Sequence, residues 1–313
     1  EELRVGFWGL IMHDHPDSLL LRFLRARKWV VVKALEGAVL TLQWRVRENL
    51  AEIVREGEAK LNLRTLQIGQ AYMHGVDKQQ RPVCYIAARH HNKDLQPFED
   101  IRRFTLWTME TVRLMIHPPV ETVDILFDLG DFTMANMDYN FVKFIVQCFQ
   151  AYYPESLGVY VVANAPWVFW GIWKIITPLL DPVVASKFQC ARKVNDLQEY
   201  IDPSWLLPSL GGTDERGFTY LPYRKEDDYR LNDEAGRAEH QAALDALNTR
   251  FVAQTRDWIA AGENAAALET ASKERDGTAD EMRTAFFKLD PYVRSRTFYH
   301  RLGVLGEDGS CDW

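Results

Sequence analysis

Several protein classes are excluded by what this chain lacks. Its four cysteines, Cys84, Cys148, Cys190 and Cys311, stand far apart and form no CxxC pair. That spacing suits neither a zinc site nor a compact disulfide framework, and it points to a reducing, cytoplasmic compartment. No run of about 18 uninterrupted apolar residues occurs, so a membrane-spanning helix is not expected. The nearest approach, Val159–Leu180, is broken by Asn164, Pro166, Lys174 and Pro178. Positive charge is in deficit: 37 Lys and Arg face 44 Asp and Glu, a net charge of −7. A general nucleic-acid binder needs a broad positive field, so any anionic group must here be met by a local basic cluster. The N-terminal Glu-Glu-Leu-Arg-Val-Gly does not read as a signal peptide.

Catalytic signatures are missing as well. There is no GxSxG, HExxH, GxGxxG or GxxxxGK[ST], which lowers the expectation of an enzyme. On a strand the adjacent His90 and His91 would point to opposite faces, unable to share a metal, and they read as a polar loop after a strand. His13 and His15, beside Pro16, read as a loop leading into a helix. No metal site is expected.

What is present supports a sizeable core, with 47% hydrophobic and 26% charged residues. Residues 1–66 read as helical, with Leu20, Phe23 and Leu24 on one face and Val32, Leu35, Val39, Leu42 and Val46 as a stripe. Residues 67–223 alternate strands and helices. Pro82–Ala88 follows a polar hairpin-like turn over residues 75–81, and Thr122–Asp128 and Gly158–Asn164 are short apolar runs typical of buried strands. Ile101, Phe104, Thr108, Met109 and Val112 mark one helix, and Phe141, Ile145, Cys148, Phe149 and Tyr152 another. This alternation predicts an α/β mixed sheet covered by helices. Residues 224–313 are more polar. Leu244, Leu247, Phe251 and Trp258 form a stripe there that predicts a helical tail packed on the main domain.

The strongest signal lies between Gly158 and Lys187. After Ala165-Pro166 comes a helix that is apolar on nearly every side, with Val168, Phe169, Trp170, Ile172, Trp173, Ile175 and Ile176. Its whole circumference must avoid water. It is either a central core helix or a mobile wall with one face on a ligand cavity and the other available to a bilayer. Three Trp within residues 167–173 favour the wall, because Trp suits the membrane interface. Just beyond, Lys187 sits in an apolar stretch, and Glu155 stands at the start of the preceding strand. Arg22, Arg25, Arg27 and Lys28 crowd together near the N-terminus. They form either a solvated helix face or a phosphate site, since Arg grips phosphate as a fork and Lys as a point charge.

Taken together, these segments resemble the CRAL-TRIO family of fungal phosphatidylinositol transfer proteins, across about Asp14–Tyr223. The residues concerned are Leu19–Trp29 (LLLRFLRARKW), Tyr153–Gly158 (YPESLG), Asn164–Pro166 (NAP), Leu180–Val183 (LDPV), Ser186-Lys187 and Leu207–Gly212 (LPSLGG), in the family's order and spacing. The resemblance implies a helical N-terminal subdomain, an α/β lipid-binding domain with a deep apolar pocket, and a helical extension. It implies a gate over Val168–Leu180, with Val168, Phe169, Trp170, Trp173 and Ile176 as its membrane-facing residues. It also implies that Arg27, Lys28 and Lys187 anchor an inositol phosphate beside Glu155, and that Val123, Ile125, Phe127 and Val184 line the pocket. Relatives that also carry phosphatidylcholine have hydroxyl residues where this chain has Val123 and Ile125, which disfavours a choline lipid and favours a more apolar second ligand. Val184 stands where phosphoinositide binders often have Thr. Val30 replaces the usual acidic helix cap, and Gln80 the usual turn Gly.

The expected protein is therefore a monomeric carrier of phosphatidylinositol, bound transiently at membrane surfaces, needing no cofactor and no nucleic acid. Competing readings are a sterol or isoprenoid hydrocarbon carrier, a haem protein using His74, Tyr85 or His117, and a non-transferring interaction module.

Overall fold

The computed structural model describes residues 2–313, apart from the side chain of Val194. Five helices come first: α1 (Glu2–Ile11), α2 (Pro16–Ala26), α3 (Val31–Arg47), α4 (Leu50–Glu56) and α5 (Leu63–Gln67). Helix α2 starts on Pro16, whose fixed φ suits a first helical position, and His15 Nδ1 accepts the Asp17 N–H at 3.1 Å. Helix α3 begins without a side-chain cap because Val30 has no oxygen to offer.

The sheet follows. Strands β1 (Ala71–Val76) and β2 (Pro82–Ala87) form an antiparallel pair; β3 (Val123–Asp128), β4 (Leu157–Ala163) and β5 (Phe188–Cys190) run parallel to β2, in the order β1-β2-β3-β4-β5. Parallel neighbours require crossovers. These are α6 (Phe98–Leu114) between β2 and β3, α7 (Tyr139–Gln147) between β3 and β4, and α8 (Phe169–Ile176) with α9 (Pro182–Ser186) between β4 and β5. Short α10 (Val194–Leu197) leads to turns at residues 203–210, then to a tail of α11 (Glu234–Ala260), α12 (Ala265–Val293) and α13 (Phe298–Arg301).

Side chains alternate across a strand, so each sheet face has its own occupants. Tyr72 and Tyr85 stack on one face, where Tyr72 meets Phe218 and the Tyr85 hydroxyl donates to the Trp205 carbonyl at 2.6 Å. The other face presents Cys84, Ile86, Val123, Ile125, Phe127, Tyr160 and Val162 toward α6, α7 and α8. Ile101, Phe104, Thr108, Met109 and Val112 are the α6 stripe anticipated from spacing, and they close that face.

The tail is tied to the rest of the chain. Phe286, Phe287, Phe298 and Tyr299 belong to the main core, and the Tyr299 hydroxyl accepts the Met73 N–H at 2.8 Å. Arg301 is paired with buried Glu58, and Arg275 with Asp17 at 2.7 Å. The stripe on α11 does pack, with Leu244 and Phe251 buried against Met282 and Leu289 of α12. Among the described residues no helix is long and apolar enough to cross a membrane.

Candidate functional site

Between the helix-covered face of the sheet and α6, α7 and α8 lies an apolar cavity. Val123, Ile125 and Phe127 form its floor on β3. Phe141, Ile145 and Phe149 of the α7 segment also line it; their common face was legible in sequence, but not that it faces a cavity. Burial pushes the Cys84 thiol up to about 12, so at neutral pH this cavity wall carries no charge from it.

Helix α8 is the movable-wall candidate, and its two faces differ. Phe169, Ile172, Trp173 and Ile176 line the cavity, with Phe169 and Ile172 buried. Trp170 points away and is exposed, beside Trp167 at 87% and Ile175 at 61% exposure. Val168 is half-buried at the start of the helix, outside the cavity lining. A helix apolar but for Lys174 thus covers the cavity with one face and offers the other to its surroundings, which a central core helix could not do. Its end is defined locally: Pro178 stands in a tight turn, and the Thr177 hydroxyl bonds back to the Trp173 carbonyl at 2.7 Å.

Several expected site residues stand elsewhere. Val184 lies on α9, outside the cavity lining; its N–H is capped by Asp181 at 2.8 Å, and Phe188 of β5 takes the lining position instead. Of the gate residues expected to face the membrane, Trp170 is on the exposed face, whereas Phe169, Trp173 and Ile176 turn into the cavity. Of the haem candidates, none lines the cavity: His74 is bound to Asp214 at 2.5 Å, Tyr85 to the Trp205 carbonyl, and His117 to Arg283 near Cys311. Among the described residues no cluster of three or more His, Cys, Asp or Glu could hold a metal ion.

The polar anchor can be located more closely. Glu155 follows the turn after α7 with φ +55°, and its Oε2 lies 3.5 Å from Lys187 Nζ. Lys187 also donates to the Leu157 carbonyl at 2.6 Å, at the N-terminal end of β4. Next to it a Cβ on Gly158 would push against Asp124 and the Arg81 guanidinium, whose pair locks β3 to the turn before β2. The motif Tyr153–Gly158 therefore holds Glu155 against the end of β4.

The basic cluster divides. Arg22 is buried at 3.5 Å from Asp14, and Arg25 is bound to Glu121 at 2.7 Å. Arg22 is therefore structural, whereas Arg25 stays on the solvated helix face in an exposed pair. Arg27 lies along Gly37 of α3 and Lys28 is exposed with φ +51°; no hydrogen bond or ion pair among the described residues joins either to Glu155 or Lys187.

One polar group of the site was not foreseen. Gln70, His91, Asn136 and Asp138 gather at the end of the cavity where β2 and β3 finish. His91, read from sequence as a polar loop residue, is in fact buried.

An α/β sheet, an apolar cavity and a covering helix with apolar side chains on both faces define a class: proteins that sequester an apolar ligand beneath a covering helix. The chain belongs to the CRAL/TRIO family. Residues 66–212 match the CRAL/TRIO domain and residues 1–36 its N-terminal domain. A CRAL-TRIO domain-containing protein of Schizosaccharomyces pombe is 43% identical over 99% of this chain and 70% of its own length. The phosphatidylinositol transfer protein CSR1 of Eremothecium gossypii is 37% identical over 96% of this chain and 70% of its own length. Both likenesses include the tail that lies beyond the domain match. Among solved structures, Sfh5 superposes with a TM-score of 0.56 at 20% identity, covering 64% of this chain and 73% of its own, a likeness of fold.

Proposed function

We propose that this protein binds phosphatidylinositol in the cavity and carries it between membranes. The single observation that carries the reading is the two-faced helix α8, which lines an apolar cavity on one side and exposes Trp170 and Ile175 on the other, with Trp167 exposed just before it. A lipid resists leaving a bilayer because its chains would face water; at about 0.8 kcal/mol per methylene, roughly 30 methylenes cost on the order of 24 kcal/mol. A carrier must replace that environment and open only where a bilayer supplies it. In this reading α8 swings at the membrane, with its outer aromatic residues in the interface. Lys187, beside Glu155, binds the inositol phosphate, and Arg27 and Lys28 complete the basic side. The protein acts as a monomer and a peripheral membrane visitor, as a carrier rather than a catalyst, and needs no cofactor.

A phosphatidylinositol transfer protein from a related fungus, similar over nearly the whole chain, supports the choice of lipid. The apolar Val123 and Ile125 support a second ligand that needs no polar contact at mid-strand. The test is transfer of labelled phosphatidylinositol and phosphatidylcholine between vesicles. Transfer of the inositol lipid, with little of the choline lipid, is expected; failure to move either contradicts the proposal.

A further inference from the structure

The cavity end at the finish of β2 and β3 is short of a hydrogen-bond donor. Gln70 precedes β1, His91 follows β2 and Asp138 precedes α7, yet all three line the cavity, with Gln70 5% and His91 7% exposed. His91 Nδ1 lies 2.9 Å from Gln96 Oε1, an atom that only accepts, so Nδ1 carries the proton. In the neutral ring Nε2 is then an acceptor, and its neighbour Asp138 Oδ2, at 3.5 Å, is another. Gln96 Oε1 also receives Gln70 Nε2 at 3.4 Å, while Gln96 Nε2 donates to the Thr65 hydroxyl at 2.9 Å. This chain of bonds fixes both amides and leaves Gln70 Oε1 spare. Gln70 Oε1 and His91 Nε2 are both buried without a hydrogen-bond partner. Buried acceptors left unpaired are costly, and a nearby donor removes that cost.

This group is distinct from the Lys187–Glu155 anchor. The Gln70 carbonyl accepts the Ala87 N–H at 3.0 Å, at the C-terminal end of β2, whereas Lys187 holds the Leu157 carbonyl opposite Val123, at the N-terminal end of β3. The length of β3, about 17–20 Å at some 3.3 Å per residue, separates the two ends.

We propose that Gln70, His91 and Asp138 form a second polar subsite, which takes the hydrogen-bond-donating end, hydroxyl or amine, of a lipid whose apolar body lies along Val123, Ile125 and Phe127. This rests on the carrier reading and narrows its more apolar second ligand to a lipid alcohol or amine. Three acceptors match a group that brings protons, and an ether or ester lacks them.

The test is titration calorimetry of the purified chain with dodecanol, dodecylamine and dodecyl methyl ether. The extra methyl favours the ether on apolar grounds, so a preference for the others reports the donor. At least about tenfold tighter binding of the alcohol or the amine is expected, the size of one buried hydrogen bond. Whichever binds tighter identifies the source. Gln70→Leu and His91→Phe should erase the preference. Asp138→Asn, which keeps an oxygen for the cap of α7, should weaken the amine more than the alcohol. Equal affinity for all three probes in the unmodified chain overturns the subsite, with no variant needed. Should that occur while phosphatidylinositol still moves between vesicles, the carrier reading stands; if no probe binds and no phosphatidylinositol moves, both fall.

Discussion

Replacing Lys187 by Ala separates a ligand anchor from a structural contact, because the two roles predict different sizes of effect. In the folded chain Lys187 donates to the Leu157 carbonyl at 2.6 Å and lies 3.5 Å from Glu155 Oε2. Both side chains are partly solvated, so the ion pair contributes below about 1 kcal/mol. The hydrogen bond to the strand end adds about 1 kcal/mol more. Lys187→Ala should therefore lower Tm by no more than a few degrees. A contact from the same ammonium to an inositol phosphate is charge-assisted and is worth about 1.5–3 kcal/mol. Its loss should weaken phosphatidylinositol binding by roughly 10- to 150-fold. Thermal unfolding measured beside vesicle transfer reads both quantities on one sample, and Lys187→Arg should restore part of the transfer because the charge remains. Transfer unchanged in a folded Lys187→Ala variant refutes the anchor. So does a loss of transfer that merely follows a loss of fold.

Three further outcomes are expected. Trp167→Ser combined with Ile175→Ser, at exposed positions on and before α8, should reduce vesicle association and transfer severalfold while shifting stability by no more than about 0.5 kcal/mol; co-sedimentation with vesicles checks it. Glu110 is buried in a fork with Arg45 at 2.8 Å and accepts the Tyr153 hydroxyl at 2.8 Å. Burial is the largest single influence and would raise its pKa, but the charge and hydrogen bonds of Arg45, with the charges of Arg113 and Arg294, together outweigh it and hold the carboxyl well below the usual range. Its contribution is thus present above the unfolded value of about 4.3 and lost as pH falls below it, and Glu110→Gln should cost about 3–5 kcal/mol in urea unfolding at pH 7. Burial pushes the His13 imidazole down to about 4, while its Nε2 lies 2.8 Å from the Arg113 carbonyl. The unfolded chain binds that proton below about 6.5, so stability is full above this pH and falls by roughly 3 kcal/mol toward pH 4. His13→Gln should flatten that part of the urea-midpoint profile.

The fold was legible where periodicity and apolar runs are long. Strands β2, β3 and β4 stood out as short runs of β-forming, mostly apolar residues, and helices α6 and α7 because their apolar residues repeat at three and four. Strand β1 did not, because Tyr-Met-His-Gly-Val mixes polar and apolar residues. Its Gly75, at φ +64°, resembles a turn residue, yet it is needed because a side chain there would sit 2.5 Å from the Trp205 ring. Strand β5 has only three residues, too few for a pattern. At the site, the apolar nature of α8 was plain, but which face meets the cavity depends on how the helix is seated. Arg22 resembled its basic neighbours in sequence; only the fold brings Asp14 to it. The subsite at Gln70, His91 and Asp138 comes from three separate segments. No local spacing could have announced it.

Native mass spectrometry of the purified chain, followed by lipid extraction, tests the central claim most directly. One phosphatidylinositol, or one lipid alcohol or amine, bound per chain is the expected result. A chain that carries no lipid, and takes none up from vesicles containing phosphatidylinositol, contradicts the account.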